Sequence, residues 1–189
     1  MPPDLFPQAK DGNEPQWEPR WESGPLFIRT LPDPARFSLR MNPADAPLVT
    51  IAFGVPLPKG IGRITGAHGR RALQLGPDEW LLHAPSADAG SIMAAFQTLA
   101  VAHSLVDIGH RETVLLVEGP AAALALSSAI AFDLESMPVG TGCRTLFDKV
   151  QIVLIREAPG RFLIEVWRSF ASHVLGILYA VGREIVLGL

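Results

Sequence analysis

The sequence has little of what most enzyme chemistry needs, beginning with a single cysteine, Cys143, in 189 residues. One cysteine excludes an intramolecular disulfide and any multi-cysteine metal site. The histidines His68, His83, His103, His110 and His173 include no pair at the spacing of a helical zinc site. A Gly-x-Ser-x-Gly nucleophile elbow is absent, although sequence alone leaves a Ser-His-Asp triad open. The formal net charge of −3 argues against a dedicated nucleic-acid binder, which carries a basic face. The amino terminus lacks the charged start and apolar stretch of a secretory leader. No uninterrupted apolar run approaches the ~20 residues of a bilayer span. A cytoplasmic protein without a membrane segment is the expectation. Gly60, Gly62, Gly66 and Gly69 resemble a phosphate loop only superficially, because Thr65 stands where a glycine is needed and a strand follows.

What is present is apolar. Hydrophobic residues make up 48% and charged residues 19% of the chain, a balance that leaves apolar surface for a partner. Residues 1–47 hold ten of the seventeen prolines, which predicts an extended arm rather than part of a sheet. Its rings Phe6, Trp17, Trp21, Phe27 and Phe37 would lie on the domain's own surface or anchor the arm to a neighbouring subunit. Residues 48–189 are expected to form one domain. Within it, Leu48 to Val55 predicts a strand. Arg71 to Leu75 and Trp80 to His83 predict a hairpin around Gly76-Pro77-Asp78-Glu79, followed by a helix capped by Ser86. Ser104 to Ile108 and Thr113 to Glu118 predict strands. Gly119-Pro120 then opens a helix with proline at its first position. Gln151 to Ile155 and Phe162 to Trp167 form a second predicted hairpin, with a helix from about Phe170 to Ile185. Hairpin-then-helix therefore occurs twice. The fold class is α+β, with two pseudo-symmetric ferredoxin-like halves and helices packed on one face of antiparallel sheet.

Few side chains point to chemistry. Lys59, Arg63, Arg70 and Arg71 form a basic loop that could steer an anionic ligand. Cys143 reads best as a small core residue, although Arg144 beside it hints at an electropositive setting. Arg111, Arg144 and Arg168 carry the rigid five-donor fork suited to carboxylates, between subunits or within the chain. Asp107 fits either as an orienter of His110 or Arg111 or as a turn-capping carboxylate. Trp167 alternates with core positions on its strand, so it faces the side of Glu165, where a partner or the following helix would cover it.

Four segments carry a family resemblance: Val106-Asp107-Ile108-Gly109-His110-Arg111, Gly119-Pro120, Cys143-Arg144-Thr145-Leu146, and Ile164-Glu165-Val166-Trp167-Arg168-Ser169-Phe170. In this order they resemble the gamma subunit of heterotetrameric sarcosine oxidase, over roughly residues 48–186. The chain also resembles the folate-binding aminomethyltransferase fold related to that subunit, whose members carry serine where Gly109 stands. In the transferases, adjacent aspartates begin the strand corresponding to Gln151–Ile155, and one is catalytic. Val150 and Gln151 take those places here, and neither can titrate. The nearest carboxylate is Asp148. The resemblance thus implies a kept fold with lost chemistry and no catalytic, cofactor-binding or metal-binding residue of its own. It leaves Asp107, His110, Arg111, Arg144, Trp167 and Arg168 as interface or structural motifs. It implies alpha, beta and delta subunits as partners, with FAD, FMN, NAD and tetrahydrofolate held by them. Such a complex demethylates sarcosine oxidatively to glycine and peroxide and passes the one-carbon unit to tetrahydrofolate. A free-standing folate-binding one-carbon protein and an assembly chaperone are the rival readings.

Overall fold

The computed structural model describes residues 20–188, so readings that fall on residues 1–19, including Phe6 and Trp17, lie outside it. Along the chain come β1 (Arg20–Ser23), β2 (Leu26–Leu31), β3 (Ala35–Met41), α1 (Ala46–Phe53), β4 (Ile64–Ala67), β5 (Arg70–Gly76), β6 (Glu79–Ala84) and α2 (Ala89–Gln97). There follow β7 (His103–Asp107), β8 (Glu112–Glu118), α3 (Ala122–Ser127), β9 (Thr141–Phe147), β10 (Val150–Ala158), β11 (Arg161–Trp167) and α4 (Arg168–Leu187). The described residues fall into two compact units. The first holds residues 33–110, the second residues 20–32 with 111–188. Each has its own antiparallel sheet and its own apolar core.

The first unit orders its sheet β4-β5-β6-β3-β7. Read in chain order, β3-α1-β5-β6-α2-β7 is a ferredoxin-like repeat with β4 added at one edge. Its core packs Val49 and Phe53 of α1 and Ile92 and Phe96 of α2 against Phe37, Leu39, Trp80 and Leu82. The indole N–H of Trp80 donates to the Pro58 carbonyl at 3.2 Å, which satisfies its one buried donor.

The second unit orders its sheet β1-β2-β8-β11-β10-β9. Here β8-α3-β10-β11-α4 repeats the same grammar, but the fourth strand position beside β8 is filled by β2 from earlier in the chain. Leu26 and Ile28 of β2 join Leu115, Val117, Ile152, Leu154, Phe162, Ile164 and Val166 beneath Val174 and Leu178 of α4. The 20-residue α4 is long and apolar enough to cross a membrane, with mean hydropathy 1.4. In this unit it lies on the sheet through Val174, Leu175, Leu178 and Gly182. A Cβ at Gly182 would meet the Trp21 ring at 3.0 Å, so the helix lies close against that side chain.

The arm reading fails for residues 20–47, which supply three strands. The prolines mislead because they punctuate rather than interrupt. Pro25 turns β1 into β2, Pro32 and Pro34 separate β2 from β3, and Pro43 and Pro47 sit in first helical turns. Of the predicted strand Leu48 to Val55, residues 48–53 are helical, and Gly54 and Val55 follow the helix end. The side chain of Asn42 accepts from Ala44 N at the start, and Gly54 closes α1 at φ +79 with its N–H on the Thr50 carbonyl. Ser86 begins a short 3-10 turn, and Pro120 precedes α3 instead of opening it.

Candidate functional site

Trp167 ends β11 opposite Glu112, the first residue of β8. The chain then turns directly into α4, and the Arg168 N–H donates to the Arg111 carbonyl at 3.0 Å. That bond brings Arg111 beside the tryptophan, with its guanidinium 5.4 Å from the ring centroid. The same guanidinium donates twice to Glu112 Oε1, from Nη2 at 2.8 Å and from Nε at 3.2 Å. Arg111 is thus held between a carboxylate and an aromatic face, two interactions that suit a planar cation. Phe170, in the first turn of α4, adds a second ring at 6.3 Å from the first. It belongs to this surface rather than to the core. Trp167 and Phe170 remain 41% and 44% exposed.

The register extends this cluster across the sheet. Leu146 of β9 pairs with Gln151, and the Ile152–Val166 pair sets Gln151 next to Trp167. Side chains alternate along strands, so Leu146, Gln151 and Trp167 share the face opposite the core residues Ile152 and Val166. On that face Val153, Leu163, Val114 and Leu116 are buried. Burial stops at the row of Leu146, which is 55% exposed, Gln151 and Trp167. Completing the burial of Leu146 and Trp167 is worth about 1 kcal/mol each, roughly half of the full transfer value.

Of the residues singled out by sequence, the fold brings together Arg111, Trp167 and Arg168. Arg144 lies on β9, paired with Val153 and exposed. Asp107 caps a turn: the Gly109 N–H donates to its Oδ1 at 2.8 Å. The orienting role toward His110 or Arg111 is not what this bond serves, and His110 is exposed after β7. Cys143 is partly buried on β9, and that burial pushes its thiol up from the ordinary range, as a core residue requires. The basic loop is dispersed. Arg70 donates to Asp88 Oδ2 at 2.7 Å and to the Phe53 carbonyl, and Arg71 is buried, which leaves Lys59 and Arg63 facing solvent. Lys59 borders a groove of about 380 Å³ lined also by Pro43, Ala46, Pro58 and Trp80. Sequence reasoning missed Leu146 because it missed β9 altogether. The usable signal was the alternation of exposed Arg144 and Leu146 with Cys143, Thr145 and Phe147.

Val150 and Gln151 open β10, as the resemblance placed them. Val150 is part of the apolar core, and Gln151 is exposed. Asp148 sits in the preceding turn at φ +53, with its Oδ2 2.9 Å from His173 Nε2. Among the described residues no cluster of three or more His, Cys, Asp or Glu side chains is placed to hold a metal.

Residues 39–182 match the sarcosine oxidase, gamma subunit family. The chain belongs to that family. A sarcosine oxidase subunit gamma from Arthrobacter sp is 31% identical over 160 residues, which cover 81% of this chain and 78% of the relative. Another, from Corynebacterium sp. (strain P-1), is 27% identical with the same coverage. A chain of the heterotetrameric sarcosine oxidase from Corynebacterium sp. U-96, solved in complex with pyrrole 2-carboxylate, superposes with a TM-score of 0.78 at 27% identity. The match covers 87% of this chain and 88% of that one. The glycine cleavage system aminomethyltransferase T from Bartonella henselae shares the fold alone. Its TM-score is 0.55 at 14% identity, covering 76% of this chain and 42% of the transferase.

Proposed function

We propose that the chain is the noncatalytic gamma subunit of a cytoplasmic, heterotetrameric sarcosine oxidase and packs against its largest subunit. The observation that carries this reading is the surface of Arg111, Leu146, Trp167 and Phe170, where an otherwise closed sheet face stays open. Such rings and arginines anchor interfaces when a partner covers them. The near end-to-end match to a chain of a solved heterotetramer supports it. The noncatalytic part rests on the start of β10. A folate amine needs an ionisable group within hydrogen-bond reach. Val150 is packed in the core, Gln151 is an amide, and Asp148 is already turned to His173. These residues do not fit a folate-activating site, so no step of one-carbon transfer is assigned to this chain. FAD, FMN, NAD and tetrahydrofolate then belong to the alpha, beta and delta partners, which carry the oxidative demethylation.

The test is capture of the tagged chain from its native cells, with flavin absorbance and sarcosine-dependent peroxide read on the eluate. A yellow, active eluate with larger chains is the expected result. A colourless chain recovered alone from cells that make active enzyme would overturn the reading.

A further inference from the structure

We propose that the chain's own amino-terminal segment, residues 1–7, covers the groove beside Lys59, with Phe6 in its apolar interior and Asp4 on the Lys59 ammonium. The assignment stands apart from the subunit reading above. The groove lies within the first unit. The turn Pro43–Asp45 and the start of α1 form one wall, and Pro58, Lys59 and Gly60 form the other. Gln74 and Trp80 complete the lining. Its volume of about 380 Å³ is near the lower end of what ligand pockets enclose. These walls are held in place without an occupant. Gly60 N–H donates to Gln74 Oε1 at 2.7 Å, Gln74 Nε2 donates to the Gly76 carbonyl at 3.0 Å, and the Trp80 indole is fixed on Pro58. The same bonds use up the polar groups of Gln74 and Trp80, so the interior offers an apolar surface. A preformed groove also spares an occupant the cost of ordering it.

The apolar surface runs on beyond the groove. Ala44 lines it, and Leu48 and Ile51 of α1 follow at helical spacing, 45% and 87% exposed. No residue of α1 is charged. Charge then narrows the occupant. Asp78 and Glu79, next to Trp80, are both bonded to Arg40. Asp45 is the N-cap of α1, where the helix dipole favours its charge. Against these stand Lys59 and Arg63, both exposed. The Arg63 side chain packs along Gly60. Neither cation has a carboxylate at ion-pair distance among the described residues. One positive charge is left in excess, at the rim of an apolar groove.

A segment with the complementary chemistry is present on the same chain. Residues 1–19 hold four carboxylates and one lysine, a net −3 that equals the formal charge of the whole chain. Within them Asp4-Leu5-Phe6 sets a carboxylate two residues before a ring, between Pro2-Pro3 and Pro7. Prolines favour extended polyproline backbone, which loses little freedom when it docks on an aromatic-lined groove. Residues 8–19 are long enough, at about 40 Å fully extended, to serve as the tether. Tethering raises the effective concentration to the order of millimolar, which a second copy or another subunit would have to outcompete.

Zero-length carbodiimide coupling of the purified full chain, mapped by mass spectrometry, tests the pair directly. An Asp4–Lys59 linkage within one chain is expected, and its absence would overturn the proposal. An equal mixture of isotope-labelled and unlabelled chain separates the sources. A mixed-label linkage as the main product would give the groove to a second copy instead. Lys59 coupled to another subunit in the purified complex, with Asp4 uncoupled, would give it to a partner and leave the subunit reading intact. Hydrogen exchange adds a readout that needs no coupling. Replacing both Leu5→Ser and Phe6→Ser should speed exchange of peptides spanning 43–62 at least threefold, whereas Lys59→Arg should exchange nearly as the native chain does. Equal rates in the native and doubly substituted chains would show that the segment does not cover the groove.

Discussion

Trp167 shows how a side chain serves two masters at residue scale. Its strand pairing and its contact with Arg111 hold it in place, yet 41% of it remains open. Trp167→Ala should therefore cost little in the isolated chain, with a thermal midpoint within a few degrees of native. In the complex it should weaken association roughly tenfold, as loss of an interface anchor does, and Trp167→Phe should restore most of it. Co-purification at graded salt would read both. Cys143 offers a pH test. Burial raises its folded-state pKa above the unfolded value. Its contribution to stability is therefore complete below the unfolded thiol pKa and is lost as pH rises through the folded one. Between pH 7 and 11 the native urea midpoint should fall more steeply than that of Cys143→Val, and thiol labelling should be slow at neutral pH and quicken upward. Burial also raises the Tyr179 phenol, which steepens both curves alike, so the difference between the variants isolates the cysteine. Asp107→Ala removes the acceptor for Gly109 N–H and should lower stability by about 1 kcal/mol, with Asp107→Asn near native.

Glycine positions separate two kinds of constraint at element scale. Gly119 adopts φ +121, and a Cβ there would overlap the Pro25 carbonyl oxygen. Gly119→Ala should destabilise by about 3 kcal/mol, a drop of roughly 6–12 °C in a chain this size. Gly90 in α2 has nothing within 4 Å of such a Cβ, and Gly90→Ala should stabilise by about 0.5–1 kcal/mol through helix propensity. Thermal melts of the pair provide the contrast. The Gly119-Pro120 step was legible in the sequence as a motif, but its steric reason came only with the fold. Both hairpin-then-helix units were legible too, because Trp80, Leu82, Phe162, Ile164 and Val166 repeat at strand spacing. Ala46–Phe53 was not, since a short apolar run rich in β-branched residues has no period to decide it. Gly54 closes it at one end, and at the other it continues from the 3-10 turn Pro43–Asp45 that Asn42 caps. The arginine and aromatic surface was half legible. Trp167 and Arg111 could be named from strand parity and motif, whereas Leu146 depended on an edge strand whose pairing is nonlocal.

The second unit, taken whole, is assembled from two separate stretches of chain. β2 pairs with β8 through Phe27–Glu118 to Leu31–Val114, and Leu26 and Ile28 are fully buried in its core. A fragment of residues 111–189 should melt without cooperativity, because β8 would lack its neighbour. A peptide of residues 20–32 added in trans should restore a sharp transition in circular dichroism. An unchanged melt with the peptide present would show that β2 is dispensable.

The same arrangement sets a clock on the ribosome. The β1–β2 hairpin leaves the tunnel first, but its partner β8 begins about 80 residues after β2 ends. At a synthesis rate of about 5–20 residues per second, the wait is on the order of 4–16 s. During that interval residues 33–110, which are contiguous, have everything they need to close their own sheet, while Leu26 and Ile28 have no core to enter. Rare codons placed between residues 42 and 110 would lengthen this interval and lower the yield of correctly folded chain without changing one amino acid.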